Sequence, residues 1–133
     1  MIFVFPITIP PNTPQTAPIV TSLQLTAGTI TQVSIQVPSG VLALASIALF
    51  NGLYQLFPSN PESAFATSNE TITWIDQEEI SQPPYALTAK AWNTDSVNAH
   101  TLTVRIVMLP PAAVQNLAAE VAALLSQGTT AEQ

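Results

Sequence analysis

Few residues in this chain have side chains that could do chemistry. It has one histidine, His100, and no cysteine. His100 follows a turn-like segment that contains Asp95, so a hydrolytic triad would need these two residues together with a serine or threonine. No serine lies in the Gly-x-Ser-x-Gly pattern that marks such a nucleophile. We therefore predict no catalytic residue and no enzymatic activity, and we interpret His100 as a turn residue.

An acidic cluster, Asp76, Glu78 and Glu79, is the second candidate for chemistry. Paired carboxylates can hydrolyse glycosides, and carboxylate oxygens can bind Ca²⁺. Neither an EF-hand pattern nor a second acidic cluster accompanies these residues. The pattern predicts a solvated loop that follows a strand, with a cation site as the open alternative. We assign no metal ligand and no cofactor.

Two aromatic residues offer a binding chemistry. Tyr85 and Trp92 lie at the two ends of one predicted strand, and Trp92 shares its face with Thr88 and Lys90. Ligand sites are commonly lined by aromatic rings with a few polar groups. Tyr85 and Trp92 are therefore candidates for glycan stacking, and the alternative is that they lie in the core or in a subunit contact.

Charge is scarce and unevenly distributed along the chain. Charged residues make up 8% of the 133 residues, and none occurs from residue 1 to residue 61. The basic side chains are Lys90 and Arg105 and the net charge is −6, so the chain lacks the basic patch that nucleic acids and anionic membranes require. Soluble proteins normally place charge on their surfaces and sheet edges. We predict that neighbouring subunits cover the uncharged half.

Alternation of apolar and polar residues predicts an all-β fold. Residues 29–37 place Val33, Ile35 and Val37 on one face, and Asn51-Gly52 separates two apolar runs in the manner of a β-hairpin. We predict an antiparallel β-sandwich or jelly roll of about eight strands. The predicted strands cover residues 3–9, 21–26, 29–37, 41–50, 53–57, 70–75, 85–92 and 100–109, with 41–50 as a central strand.

The two ends of the chain differ from this body at residues 19–110. Four prolines in residues 10–18 predict an extended connector. Residues 1–18 are therefore an N-terminal strand and arm, which either crosses the protein's own surface or reaches a neighbouring subunit. Residues 111–128 predict an amphipathic helix between an N-terminal proline and Gly128, and residues 129–133 a frayed tail. The start of the chain lacks a signal-peptide pattern.

Two apolar segments are the predicted subunit contacts. In the helix, the apolar stripe either packs on its own sandwich or meets the same helix in other subunits; it consists of Val114, Leu117, Val121 and Leu124. In the arm, the predicted contact residues are Ile2, Phe3, Val4, Phe5, Ile7 and Ile9.

These features together resemble small virion structural proteins of tailed bacteriophages, especially head decoration (cement) proteins. The resemblance is carried by the apolar first strand, the proline arm, the uncharged Thr/Gln strands, the Asn51-Gly52 hairpin, and residues 92–95 and 100–105. It implies a homo-oligomer such as a trimer that binds a major capsid or other lattice protein on the virion surface after assembly in the host cytoplasm. No functional residue is carried over from the resemblance.

Two other functions remain open from the sequence. One is a filament or pilus-like subunit that uses its first strand for donor-strand exchange. The other is a carbohydrate-binding β-sandwich module that uses Trp92.

Overall fold

Eight strands form two facing antiparallel sheets in the computed structural model, which describes residues 1–111 and 119–125. The first sheet has the strand order β1-β8-β3-β6 and the second has the order β2-β7-β4-β5. Pro111 and residues 119–125 are helical, which confirms an all-β sandwich with a short C-terminal helix. The strands are β1 (Ile2–Ile9), β2 (Ile19–Gln24), β3 (Gly28–Val37), β4 (Ala45–Asn51), β5 (Tyr54–Phe57), β6 (Glu70–Ile80), β7 (Ala86–Asn93) and β8 (His100–Leu109).

The core between the two sheets is aliphatic. Alternate residues of each strand point inward because successive side chains of a strand face opposite ways. The largest fully buried side chains are Ile9, Leu23, Ile30, Ile35, Ile47, Leu49, Leu87, Leu102, Ile106, Met108, Val33 and Val41. Since burying one such side chain contributes about 1.5–3 kcal/mol, this layer is the main source of the fold's stability.

The N-terminal strand is part of the sandwich. β1 pairs antiparallel with β8 along its whole length, from Ile2 opposite Val107 to Ile9 opposite His100. The proline-rich connector then crosses its own chain, where Thr13 forms a β-bridge with Asn93. In this conformation the arm lies on the protein's own surface, which is one of the two predicted alternatives. β1 thus contributes Ile7 and Ile9 to the core that residues 19–110 form, and the Thr13–Asn93 bridge holds the connector to the same body.

One predicted strand begins later than expected. Residues 41–50 were expected to be extended throughout, but β4 begins at Ala45. Leu42 and Ala43 have φ angles of 54° and 61°, which lie in the left-handed region and interrupt the strand. Ala48 is 2% exposed even though it lies on the outer face of the second sheet, so β4 is covered on both sides as its apolar sequence predicts.

Gly28 lies where the start of β3 packs closely against the end of β8. Its φ angle is +153°, and an added Cβ would collide with the carbonyl oxygen of Leu109. Gly40 also has a positive φ, +89°, but a Cβ there would have no heavy atom within 4 Å.

We expect Gly28→Ala to lower the free energy of unfolding by about 2–4 kcal/mol and Gly40→Ala by about 1 kcal/mol. Both variants strain the backbone, but Gly28→Ala adds the collision with the Leu109 carbonyl. Urea denaturation of the two variants measures the difference, and equal losses would contradict the close packing of Gly28.

Candidate functional site

The loop between β7 and β8 brings Asp95 and His100 together. His100 Nε2 lies 2.9 Å from Asp95 Oδ2. Asp95 Oδ1 accepts the backbone N–H groups of Val97 and Asn98 at 2.9 and 3.0 Å. Bonds from Val97, Asn98 and His100, in that order of effect, lower the pKa of Asp95 to about 2. The carboxylate therefore holds the turn closed.

Asn93 extends this cluster into the core. Its side chain is fully buried, and its Nδ2 donates to the carbonyl oxygens of Ile9 at 3.2 Å and Asn98 at 2.9 Å. Its Oδ1 accepts the Asp95 N–H at 2.9 Å. In the described part of the chain, the side-chain hydrogen bond of the His100 ring goes to Asp95. The bonds of the cluster join β1 to the β7–β8 loop.

The acidic cluster lies on a strand. The prediction of a loop after residue 75 is wrong because β6 continues to Ile80, with Glu78 opposite Ile30 and Glu79 opposite Thr29 in β3. Burial and, secondarily, the nearby Asp76 carboxylate raise the pKa of Glu78. Within residues 1–111 and 119–125, no group of three or more His, Cys, Asp or Glu side chains is placed to hold a metal ion.

Trp92 lines a cleft on the outer face of the second sheet. The cleft has a volume of about 310 Å³ and is also lined by Phe50 and Lys90. The Lys90 Nζ lies 4.5 Å from the centre of the Phe50 ring, within the range of a cation–π contact. Pro18 of the connector and Glu62 of the β5–β6 loop complete the walls.

Gln55 holds the β5–β6 loop against this cleft. Its side-chain Nε2 lies 2.7 Å from the carbonyl oxygen of Pro58, 3.2 Å from that of Asn60 and 2.9 Å from that of Ser63. An amide group has two N–H donors, so these three carbonyls share them. The loop wall of the cleft is thereby fixed in place by a side chain of the sheet itself.

Tyr85 and Trp92 do not form one stacking platform. Tyr85 packs against the hydrophobic core, whereas Trp92 faces the outer cleft. The two residues are an odd number of positions apart, so strand alternation places their side chains on opposite faces. The sequence gives no signal that Phe50 and Trp92 line one cleft, because this depends on the pairing of β4 with β7, in which Phe50 lies opposite Thr88 and Ser46 lies opposite Trp92.

The outer face of the first sheet is broad and nearly uncharged. The strand registers align outward side chains of β1, β8, β3 and β6 in rows such as Val4, Arg105, Ser34 and Thr73. We call this set the first-sheet outer face: Ile2, Val4, Pro6, Thr8, Gln32, Ser34, Gln36, Thr71, Thr73, Ile75, Thr101, Thr103, Arg105 and Val107. Arg105 is its one charged member, and beyond the register shift the exposed Glu79 of β6 lies opposite Thr29 of β3.

The charge of Arg105 is engaged within this face. Its Nη2 donates to Gln36 Oε1 at 2.6 Å. Aliphatic side chains at the rim of the face are open to solvent, with Ile2 68%, Val4 55% and Ile75 85% exposed. The face therefore combines exposed aliphatic groups with short hydroxyl and amide side chains.

The structure separates the residues predicted as arm contacts. Ile2 and Val4 are exposed on the first-sheet outer face. The other four face the core because side chains of β1 alternate: Ile7 and Ile9 are buried in it, and Phe3 and Phe5 pack against it. A role of these residues in subunit contacts stays a prediction.

The predicted helix contacts are described in part. Val121 and Leu124 are 53% and 67% exposed, and their role as subunit contacts stays a prediction. Val114 and Leu117 lie outside the described residues. No helix in the described residues is both long and apolar enough to span a membrane.

Comparisons with known proteins give little. No known protein family matches the sequence, and no curated protein matches it. Among solved structures, the crystal structure of FlhE is similar, with a TM-score of 0.37 and 9% sequence identity over 80% of this chain and 94% of that chain. We draw no functional conclusion from a likeness at this level, and the resemblance to decoration proteins stays a hypothesis.

The two carboxyl groups with shifted pKa values should change the stability of the fold in opposite directions as the pH changes. Asp95 has its pKa lowered from 3.8 to about 2, so the stability that it contributes is present above about pH 4 and is lost as the pH falls towards 2. Glu78 has its pKa raised above 4.5, so its contribution is present below about pH 4.5 and is lost as the pH rises.

We expect Asp95→Asn to destabilise the protein at pH 7, with a difference from wild type that shrinks as the pH falls to about 2. We expect Glu78→Gln to stabilise the protein at pH 7, with a gain that shrinks below about pH 4.5. Urea denaturation of both variants from pH 2 to 7 measures these trends. A pH-independent difference for Asp95→Asn would contradict the role of its carboxylate in the turn.

Proposed function

We propose that this protein is a structural assembly protein of the virion decoration type, which binds a protein lattice through the first-sheet outer face. The observation that supports the proposal is the composition of that face, in which the outward side chains named above include one charged group, Arg105. The acidic residues of β6 lie at the ends of its regular pairing with β3 or beyond it. Large uncharged faces with exposed aliphatic groups are typical of interaction sites. Copies of the chain and a major capsid or other lattice protein are the proposed partners, and the capsid surface is the proposed location.

The size of the face favours repeated contacts over one strong contact. Four strands spaced by 4.7–4.9 Å and about six residues deep span roughly 20 by 20 Å. That is about half of the surface that each partner buries in a standard interface. A second contact, such as the exposed Val121 and Leu124 of the helix, or several copies acting together would supply the remainder.

The filament alternative has weaker support. Donor-strand exchange through the first strand would require β1 to leave its pairing with β8 and to withdraw Ile7 and Ile9 from the core. Binding to a lattice through the first-sheet outer face needs no such rearrangement of β1.

Val4 provides a test of the first-sheet outer face, with Val20 as its matched control. Val4 is 55% exposed on β1, and Val20 is 61% exposed on β2 at the outer face of the second sheet. We expect the wild-type protein to form oligomers whose mass is a multiple of 14.1 kDa. We expect Val4→Asp to abolish these oligomers, because a carboxylate buried in an uncharged contact loses its hydration, and Val20→Asp to retain them.

Light scattering over a range of protein concentrations and electron microscopy of the same samples make the measurement. A monomer at every concentration, or equal loss with Val20→Asp, would contradict assembly through this face.

The Trp92 cleft favours a second candidate function, saccharide binding. It places an indole ring, the Phe50 ring and the Lys90 ammonium around a cleft of about 310 Å³. Apolar walls with a few polar groups are typical of small-molecule sites. The cleft lies on the second sheet, so binding there is compatible with assembly through the first.

We expect Trp92→Ala to weaken glycan binding by about tenfold or more, because stacking on the indole ring is lost. Tyr54→Ala is the matched control, since Tyr54 is 73% exposed but does not line the cleft. A glycan array followed by calorimetry on any ligand found would measure the effect. No glycan bound by the wild-type protein, or equal weakening in both variants, would exclude this function.

A further inference from the structure

The four sheet edges differ in how well they are protected from pairing with another chain. Pro6 removes a backbone donor from β1, β2 has six residues and follows Pro18, and β5 has four residues and ends before Pro58. Such prolines and short lengths are devices that prevent strand addition. β6 has neither: it contains eleven residues, the most of any strand here, and no proline or lysine. Its charged residues, Glu70, Asp76, Glu78 and Glu79, lie outside the stretch 71–75.

The far side of β6 is available along a regular stretch. In the residues that the structure describes, β6 pairs with β3 and no other strand lies beyond it. The pairing runs without interruption from Glu70 opposite Val37 to Ile75 opposite Gln32, and the register shifts after that point. These six residues span about 20 Å. Their outward backbone groups match an added strand of five or six residues.

The two faces of this stretch set the side chains that an added strand would need. Thr71 and Thr73 are exposed on the outer face, while Ile72 and Trp74 are partly buried on the core side. Trp74 stacks on Phe65, and its buried Nε1 has no hydrogen-bond partner among the described residues. An added strand would therefore carry apolar side chains towards Trp74 and polar side chains on the outer face.

Charge at the two ends of the stretch indicates the kind of partner. Glu70 lies at one end and Asp76 just beyond the other, and β6 carries no basic residue. Pairing with β6 of a second copy would bring acidic strands together, which is unfavourable. β1 of a second copy carries no charge and is occupied in its own sheet.

We propose that the free edge of β6 is the docking site for an extended segment of a different protein, with about five residues of alternating polar and apolar side chains and a Lys or Arg at each end. The segment adds antiparallel to β6 and extends the first sheet to five strands. Backbone hydrogen bonds hold it, and Glu70 and Asp76 select its basic ends. This site does not depend on the proposed assembly through the sheet face.

Synthetic peptides test the site on the full-length protein. The probe is an acetylated and amidated peptide, Lys-Thr-Val-Thr-Val-Thr-Lys, compared with a version in which both Lys are replaced by Glu. We expect the basic peptide to slow the hydrogen exchange of outward amides in residues 70–75, measured by NMR. We expect it to bind about tenfold more tightly than the acidic peptide at low salt, with a smaller ratio at high salt.

Variants and modified peptides separate strand addition from non-specific attraction. Glu70→Gln combined with Asp76→Asn should reduce the preference for the basic peptide to about twofold or less, while Glu120→Gln, at an exposed position of the C-terminal helix, should retain it. Methylating the backbone nitrogens of alternate peptide residues should abolish binding when those N–H groups face β6. Methylating the nitrogens that face away from β6 should leave binding intact. The proposal would be overturned by equal binding of both peptides or by peptide-induced slowing of amide hydrogen exchange on β1 or β2. It would also be overturned if amide exchange slowed with rising protein concentration in the absence of peptide.

Discussion

Burial of aliphatic side chains between two sheets is the interaction on which this structure depends. Every strand contributes alternate residues to that layer, and side chains such as Ile35 and Ile106 are completely buried there. The chain has few charges, so surface ion pairs supply little of its stability. Because the inward positions are committed to the core, any function of the strands has to use outward side chains, loops or sheet edges.

The residues that most suggest catalysis have a structural use. His100, Asp95 and Asn93 form a hydrogen-bonded cluster that closes the β7–β8 loop and reaches the carbonyl of Ile9. A low carboxyl pKa is common in active sites, but here backbone N–H groups of a turn account for it. The same cluster fixes the end of β1, so it supports the sheet that carries the proposed binding face.

The two outer faces are unlike because the connecting segments cover them unequally. The proline-rich connector and the β5–β6 loop cross the second sheet, bury Ala48 and leave a cleft beside Trp92. The first sheet has no such cover in the described residues, and its outer face exposes Val4 and Ile75 among threonines. The flat face suits a protein surface, whereas the cleft suits a small ligand. Each proposal thus rests on a different side of the sandwich.

Sequence alone determined the number of strands, the sandwich class and most inward-facing residues, because a period of two is a local property. It failed where backbone or long-range pairing intervened. Positive φ at Leu42 and Ala43 delays β4, and pairing with β3 extends β6 beyond residue 75. Only the tertiary structure decided that β1 joins β8, that Phe50 and Trp92 line one cleft, and that β6 is a sheet edge. These depend on which distant strands are neighbours, and similar alternating patterns allow many such arrangements.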